Sequence, residues 1–294
     1  MKSWGRLITA MVTPMDEQGG VNYEKAAEIA RRFVEEGTTA LVVSGTTGES
    51  PTLSAAEKEK LFIAIKKAVD VPVIAGAGTN STAASIENAR RALDCGVDGL
   101  LAVVPYYNKP NQDSIYAHFA AFAQATPLPV MLYNVPGRTG TNMTAETSIA
   151  LSQIPNITAL KEASGDLVQL AKVVRDANAD FAVYTGEDAQ ILPTLAVGGY
   201  GVVSVASQVV GREIQRMIES HLAGRAAEAA ELHLKLVGIV EKLFMTANPI
   251  PIKAALNLMG LEVGCTRLPL APPAPAVVRA LREELTALNL ISGG

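Results

Sequence analysis

Ile157-Thr158-Ala159-Leu160-Lys161-Glu162-Ala163-Ser164-Gly165-Asp166 is the stretch whose reading decides the fold. The apolar run to Leu160 reads as a buried strand, Gly165-Asp166 as a turn, and Leu167–Ala177 has the spacing of a helix. One strand–turn–helix unit therefore ends its strand on Lys161. An ammonium at the end of a buried strand costs several kcal/mol in lost hydration, or gives up its proton. A lysine driven toward its neutral form is a nucleophile that makes Schiff bases with ketones and aldehydes. The plainer alternative is a lysine that packs its stem and reaches solvent or an acid with its head.

Outward from that unit the pattern repeats. Strands are expected at Leu7–Val12, Ala40–Ser44, Val71–Ala75, Gly99–Val103, Pro129–Tyr133, Ile157–Lys161, Phe181–Thr185 and Gly201–Val205. Helices are expected between them, at Tyr23–Glu36, Ala55–Val69, Thr82–Cys95, Asp113–Ala125, Ala145–Ser152, Leu167–Ala177 and Gln190–Ala196. Ser54-Ala55-Ala56-Glu57 has the form of a capping box. The strands are short, Val/Ile/Leu-rich and not alternating, as in a parallel sheet buried on both faces. Repetition of this unit predicts an α/β fold of the TIM type, a (β/α)8 barrel. A doubly wound open sheet is the rival, but Val12-Thr13-Pro14-Met15 lacks the Gly-rich turn expected after its first strand. Past Val210 only helices are expected, at Arg212–Ala223, Ala226–Phe244, Pro251–Met259 and Pro275–Leu288. The chain is thus read as a barrel over 1–224 and a C-terminal helical extension over 225–294.

The 294 residues are 49% hydrophobic and carry a net charge of −4, with dispersed basic residues, which argues against nucleic acid or an anionic membrane as partner. Cys95 and Cys265 are too few for a disulfide framework or zinc site, and His118, His221 and His233 have no ligand spacing. No signal-like segment and no apolar span of membrane length is present, so a cytoplasmic protein is expected.

Chemistry in such a barrel belongs at the C-terminal strand ends. Those ends present Gly45-Thr46-Thr47-Gly48-Glu49-Ser50, Pro105-Tyr106-Tyr107-Asn108, Tyr133-Asn134-Val135-Pro136-Gly137-Arg138-Thr139, Lys161, Gly186-Glu187-Asp188 and Val203-Ser204. Three of the 7 tyrosines fall there, more than packing alone would place. Thr46 and Thr47 can aim N–H groups and hydroxyls at a carboxylate. Tyrosine hydroxyls can relay protons around an imine, and Arg138 can capture a second carboxylate bidentately. Taken singly, each has an ordinary reading as a turn, a packing pair or a surface cation.

These motifs, with Lys161-Glu162-Ala163, resemble those of the dihydrodipicolinate synthase and N-acetylneuraminate lyase family of pyruvate-dependent class I aldolases. The likeness runs from Thr13-Pro14 to Asn248-Pro249-Ile250-Pro251. Thr47 and the Gly-Arg-Thr ending resemble the dihydrodipicolinate synthase branch. The resemblance implies that Lys161 forms the imine with pyruvate. Tyr133 would shuttle protons with Thr46 and with Tyr107, the last supplied across a subunit contact. Thr46 and Thr47 would hold the pyruvate carboxylate, with the Gly186 and Val203 backbones near the imine and Arg138 binding aspartate semialdehyde. It further implies ring closure to 4-hydroxy-tetrahydrodipicolinate in lysine and diaminopimelate biosynthesis. No metal or organic cofactor is implied beyond the covalent imine between Lys161 and pyruvate, and the assembly implied is a homotetramer, a dimer of dimers. The rivals are an aldolase or lyase of the same scaffold (an N-acetylneuraminate lyase or a 2-keto-3-deoxy sugar acid aldolase), a phosphosugar aldolase using Gly198-Gly199-Tyr200-Gly201, and a keto-acid sensor without catalysis.

The resemblance also carries a regulatory expectation. Lysine-inhibited members hold the end product at the dimer contact with a tyrosine, an asparagine, an acid and histidines. This chain keeps Ser50, Asn80 and Tyr106 but has Ala84 in place of the acid, and Ala55 and Lys58 in place of histidines. An ammonium of the inhibitor is left unpaired, and losing one partner of a buried pair costs ~3–5 kcal/mol. Weak or absent inhibition by L-lysine is predicted. A titration of activity against lysine at saturating pyruvate checks it, and half-inhibition below about a millimolar would contradict it, being an affinity worth ~4 kcal/mol or more.

Overall fold

The computed structural model describes residues 4–292. Eight parallel strands close into a barrel in chain order: β1 (Leu7–Ala10), β2 (Ala40–Val43), β3 (Val73–Gly76), β4 (Gly99–Val103), β5 (Val130–Asn134), β6 (Ile157–Glu162), β7 (Ala182–Thr185) and β8 (Gly201–Ser204), with β8 pairing back onto β1. The helices α1 (Tyr23–Glu35), α2 (Ala55–Ala68), α3 (Thr82–Asp94), α4 (Gln112–Gln124), a four-residue turn α5 (Pro136–Thr139), α6 (Ala145–Leu151), α7 (Leu167–Asp176), α8 (Ile191–Ala196) and α9 (Ser207–Leu222) connect and surround them. The extension adds α10 (Ala226–Leu243), α11 (Ile250–Leu258) and α12 (Pro275–Ala287). The expected TIM-type barrel is the observed fold, and most expected boundaries lie within two residues of the observed ones.

Strand parity places the site. Ile8, Val42, Ile74, Leu101, Met131, Tyr133, Ala159, Tyr184 and Val203 fill the barrel interior, while their neighbours Leu7, Leu41, Val73, Leu100, Leu132, Leu160 and Val202 pack outward against the helices. Side chains alternate with period two along a strand. Lys161 therefore follows Ala159 inward, and Tyr133 follows Met131. The β5–β6 register sets Tyr133 directly beside Lys161. At the opposite end Trp4 closes the barrel, and a Cβ on Gly99 would lie 2.6 Å from its ring.

Local chemistry explains the elements. Ser54 accepts from the Glu57 N–H while the Glu57 side chain accepts from the Ser54 N–H, so the expected capping box is present. Two details differ from expectation. The helix expected from Arg212 begins at Ser207, because Asp188 and the Ser204 hydroxyl accept the free N–H groups of Val205, Ala206 and Ser207 and allow an early start, kinked at Val210. No helix is expected between the fifth strand and Ala145, yet a single turn forms at Pro136–Thr139, with the proline in its first turn, where no N–H is needed, and Gly140 at φ +72° closing it.

The extension is stitched to the barrel by buried charge. Lys253 on α11 pairs with Glu49 at 2.6 Å, both side chains being 2% exposed or less, and Lys253 also donates to the Cys265 carbonyl. The other Glu49 oxygen accepts from the Arg267 N–H, and the Arg267 guanidinium reaches Gly19, Thr52 and Glu57. Glu49 ends the Gly-Thr-Thr-Gly turn in a left-handed conformation, φ +56°. Lys253→Met leaves a buried carboxylate without its cation and is expected to destabilise the fold by ~3–5 kcal/mol in denaturant unfolding. Pairing it with Glu49→Gln should recover most of that loss. If the double variant is as unstable as the single one, the unpaired charge is not the cause.

Candidate active site

The C-terminal strand ends enclose a cavity of about 90 Å³. Lys161 rises into it from β6, Tyr133 from β5, Thr46 and Thr47 from the turn after β2, Arg138 from α5, and Gly186-Glu187 from the end of β7. A second, larger space of about 290 Å³ shares Gly45, Thr46, Tyr133 and Arg138 with it and runs out past Ser50, Lys58 and Tyr106. Lys58 thus faces the larger space, and partial burial lowers its pKa.

Lys161 is 6% exposed, and its Nζ stands 4.4 Å from the centroid of the Tyr133 ring. Burial lowers the amine to about 8, Asp188 and Glu187 pulling the other way and Arg138 assisting. A useful neutral fraction is then present near neutral pH, as a nucleophilic amine requires. Tyr133 is pushed up to about 12 by burial, with Arg138 and the Thr46 hydroxyl opposing. The phenol therefore keeps its proton near neutral pH. Gly186 admits the lysine stem: a Cβ there would lie 2.7 Å from Lys161 Cε.

A polar cage behind the wall steadies both groups. Glu162, the residue after Lys161, points outward and accepts from Asn134, the residue after Tyr133, at 3.0 and 3.1 Å. Gln169 and the Ser164 N–H complete its partners, so the ends of β5 and β6 are tied at the point where their reactive side chains meet. Asp188, wholly buried, accepts from the Ser204 hydroxyl and from the Val205 and Ala206 N–H groups, tying the β7 end to β8.

Of the residues expected from sequence, Lys161, Tyr133, Thr46, Thr47, Arg138 and Gly186 converge on the cavity. Val203 is buried in the barrel interior, and Val205, two residues on, forms the wall there. Tyr107 is 88% exposed, at φ +75°, and stands outside its own chain's cavity. Sequence reading had assigned no role to Glu187 in the cavity wall, nor any to Phe244 and Asn248 from the extension. Asn248 Nδ2 donates to Thr47 Oγ1 at 2.9 Å. The run Asn248-Pro249-Ile250-Pro251 was the signal available, but its prolines marked only a break between helices.

A closed parallel barrel with a buried lysine of lowered pKa beside a phenol at its mouth defines a lyase of the Schiff-base, class I aldolase type. Comparison with known proteins narrows the class. A model of the dihydrodipicolinate synthetase family matches residues 3–288, and the chain belongs to that family. It is 52% identical over 283 residues to 4-hydroxy-tetrahydrodipicolinate synthase of Moorella thermoacetica, covering 96% of this chain and 94% of the relative. It is 50% identical over 294 residues to the Cyanothece sp. protein of the same name, covering 99% and 100%. The crystal structure of DHDPS from Cyanidioschyzon merolae with lysine bound superposes with a TM-score of 0.97 at 52% identity, over 98% of this chain and 99% of that one.

Burying a protonated Lys161 has a cost with a definite pH dependence. With its pKa at about 8 rather than 10.5, the folded state loses about 3 kcal/mol at any pH below 8, where the lysine is protonated both folded and unfolded. The penalty fades as pH rises from 8 to 10.5. Lys161→Met is therefore expected to be more stable than the parent by about 3 kcal/mol at pH 7 and to lose that advantage toward pH 10.5. Chemical denaturation at several pH values measures this, and a gain that does not change with pH would exclude the buried charge as its source.

Proposed function

We propose that this chain condenses pyruvate with L-aspartate 4-semialdehyde through an imine on Lys161, giving 4-hydroxy-tetrahydrodipicolinate. The observation that carries the reading is the buried Lys161 amine against Tyr133, in a cavity that also holds Arg138.

The neutral amine attacks the keto carbon, and the carbinolamine loses water with a proton supplied by the Tyr133 phenol. Loss of a methyl proton gives the enamine, whose carbon attacks the aldehyde. The amino group of the adduct then attacks the imine carbon, expels the Lys161 amine and closes the six-membered ring. Thr46 and Thr47 hold the pyruvate carboxylate, and Arg138 holds that of the aldehyde. The imine nitrogen is the electron sink, so the reading calls on no metal or organic cofactor.

The finer setting belongs to the same proposal. The reading takes the chain as a homotetramer, in which the Tyr107 ring, 88% exposed, is open to contact with a second copy. A monomeric dihydrodipicolinate synthase variant has been solved, at 40% identity and a TM-score of 0.96, so the barrel itself does not enforce assembly. A cytoplasmic setting agrees with the two free thiols, Cys95 and Cys265. Among the described residues no helix is long and apolar enough to cross a membrane. The helices from residue 225 onward act as part of the barrel unit, a view supported by their share in one continuous core.

Borohydride reduction with pyruvate is expected to label Lys161 in the parent protein and nothing in Lys161→Ala. Tyr133→Phe should lower kcat by ~10²–10⁴-fold. Arg138→Ala should retain trapping while raising KM for the semialdehyde. An adduct on another lysine, or turnover of N-acetylmannosamine in preference to the semialdehyde, would overturn the reading.

A further inference from the structure

Strand β6 does not keep one register along β5. Val130 pairs with Ile157, but Met131 pairs with Ala159 and Tyr133 with Lys161, so Thr158 is an extra residue on β6 with no counterpart on β5. Such a bulge re-aims the side chains that follow it. Ile157 packs in the outer core against the helices, whereas Ala159, two residues on, lies in the barrel interior. With regular alternation from Ile157, Lys161 would face the helices, and Asn134 rather than Tyr133 would stand opposite it.

The two ends of β6 are anchored in these two different registers. At its start the Val130 N–H donates to the Asn156 carbonyl, and the Asn156 side chain donates to the carbonyls of Ala123, Thr126 and Leu128. At its finish Glu162 accepts from Asn134, Gln169 and the Ser164 N–H. Asn142 closes the ring, accepting from Asn134 and donating to Gln169. Glu162 is 2% exposed; burial raises its pKa, and the neutral donors Asn134, Gln169 and Ser164 oppose that rise. A carboxylate buried without a cation gives up hydration for little stability, and the best-attested use of such groups is to fix register.

We infer that the Glu162 ring is a register lock, which holds β6 in its shifted pairing with Thr158 bulged and so turns Lys161 into the cavity against Tyr133. Glu162 is then a positioning residue for the imine-forming step, an inference that rests on the proposed function. The ring is selective because Oε1 meets Ser164 and Asn134 while Oε2 meets Gln169 and Asn134. Glu162→Gln therefore sets its amide nitrogen against Asn134 Nδ2 whichever way it turns. Asn134 cannot turn over to suit it, because its Oδ1 accepts from the Met143 N–H.

The test follows imine formation by mixing protein with pyruvate and quenching with borohydride at timed intervals. Glu162→Gln is expected to slow trapping at saturating pyruvate by about 10–100-fold, the loss that a small misplacement of a reacting group brings. The pyruvate concentration giving half that rate should change by less than about 2-fold, because Thr46 and Thr47 lie on a turn braced separately through Asn248 and Glu49. The pH midpoint of the rate should not move, since the charges acting on Lys161 are those of Asp188, Glu187 and Arg138. Adding Asn134→Asp to Glu162→Gln, with the Asn142 and Gln169 amides turned over, reverses the ring and keeps its single charge, and it should recover most of the lost rate. A parental rate in Glu162→Gln, a half-rate concentration raised as much as the rate is lowered, a shifted pH midpoint, or a double variant no faster than the single one overturns the lock. If Glu162→Gln does not fold, the double variant decides alone: it must fold and trap pyruvate, and its failure overturns the inference. Loss of trapping in the parent protein would instead overturn the imine reading.

Discussion

Everything at this site depends on one amine held out of water inside a closed ring of strands. A barrel interior is filled by alternate residues of each strand, so a polar group of that parity at a strand end has only the neighbouring strand ends for company. Lys161 meets this condition through β6, and the parallel register brings Tyr133 against it from β5. The same parity turns the following residues, Glu162 and Asn134, outward, where they bond to each other. Two adjacent strand ends therefore carry a reactive pair inside and a fastening pair outside. Movement of one strand relative to the other would strain both pairs together.

The helical extension is best understood as part of that enclosure. Asn248 hydrogen-bonds Thr47, Lys253 neutralises Glu49 at the end of the same turn, and the Arg267 N–H closes on the other oxygen of Glu49. Three residues of the extension, all far along the chain from it, thus hold one six-residue turn. Thr46 and Thr47 can present hydroxyls and N–H groups in a fixed direction only because that turn is braced, and preorganised donors are what make anion recognition effective in a dry site. The ion pair is a costly way to brace a loop, since both charges leave water. Its value lies in geometry: one carboxylate engages α11 and the segment at Arg267 at once.

The fold was legible because periodicity survives in single elements. Eight short apolar runs separated by helical segments admit few arrangements, and the capping box at Ser54 marked a helix start to the residue. Lys161, Tyr133 and Arg138 were legible because each ends a strand or directly follows one. Glu187 was visible as a strand-end residue, but its place in the cavity wall was not, since nothing local separates it from Asp188. Asn248 was hidden for another reason. Its contribution depends on how α10 and α11 fold back over the barrel, a long-range packing outcome that leaves no periodic trace around residue 248. Tyr107 stands between these cases: its place on a strand-end loop could be read, but its ring lies 88% exposed, away from the cavity of its own chain.

Glu187 and Asp188 show how environment, not residue type, divides labour. Both carboxyls are raised chiefly by burial. Asp188 answers that cost with a serine hydroxyl and two backbone N–H groups, which fixes it as a tie between β7 and the start of α9. Glu187, one residue earlier, has no such partners among the described residues and lines the cavity. A carboxylate whose hydrogen-bonding capacity is already met can only hold structure, whereas one left open interacts with whatever enters. The same division separates Lys253 from Lys161. Both are buried lysines whose pKa burial lowers, but Lys253 has a carboxylate and a carbonyl within bonding distance, and Lys161 has an aromatic face and an open cavity. The unpaired member of each pair is the one that lines the cavity, where its stabilisation is left open to a ligand.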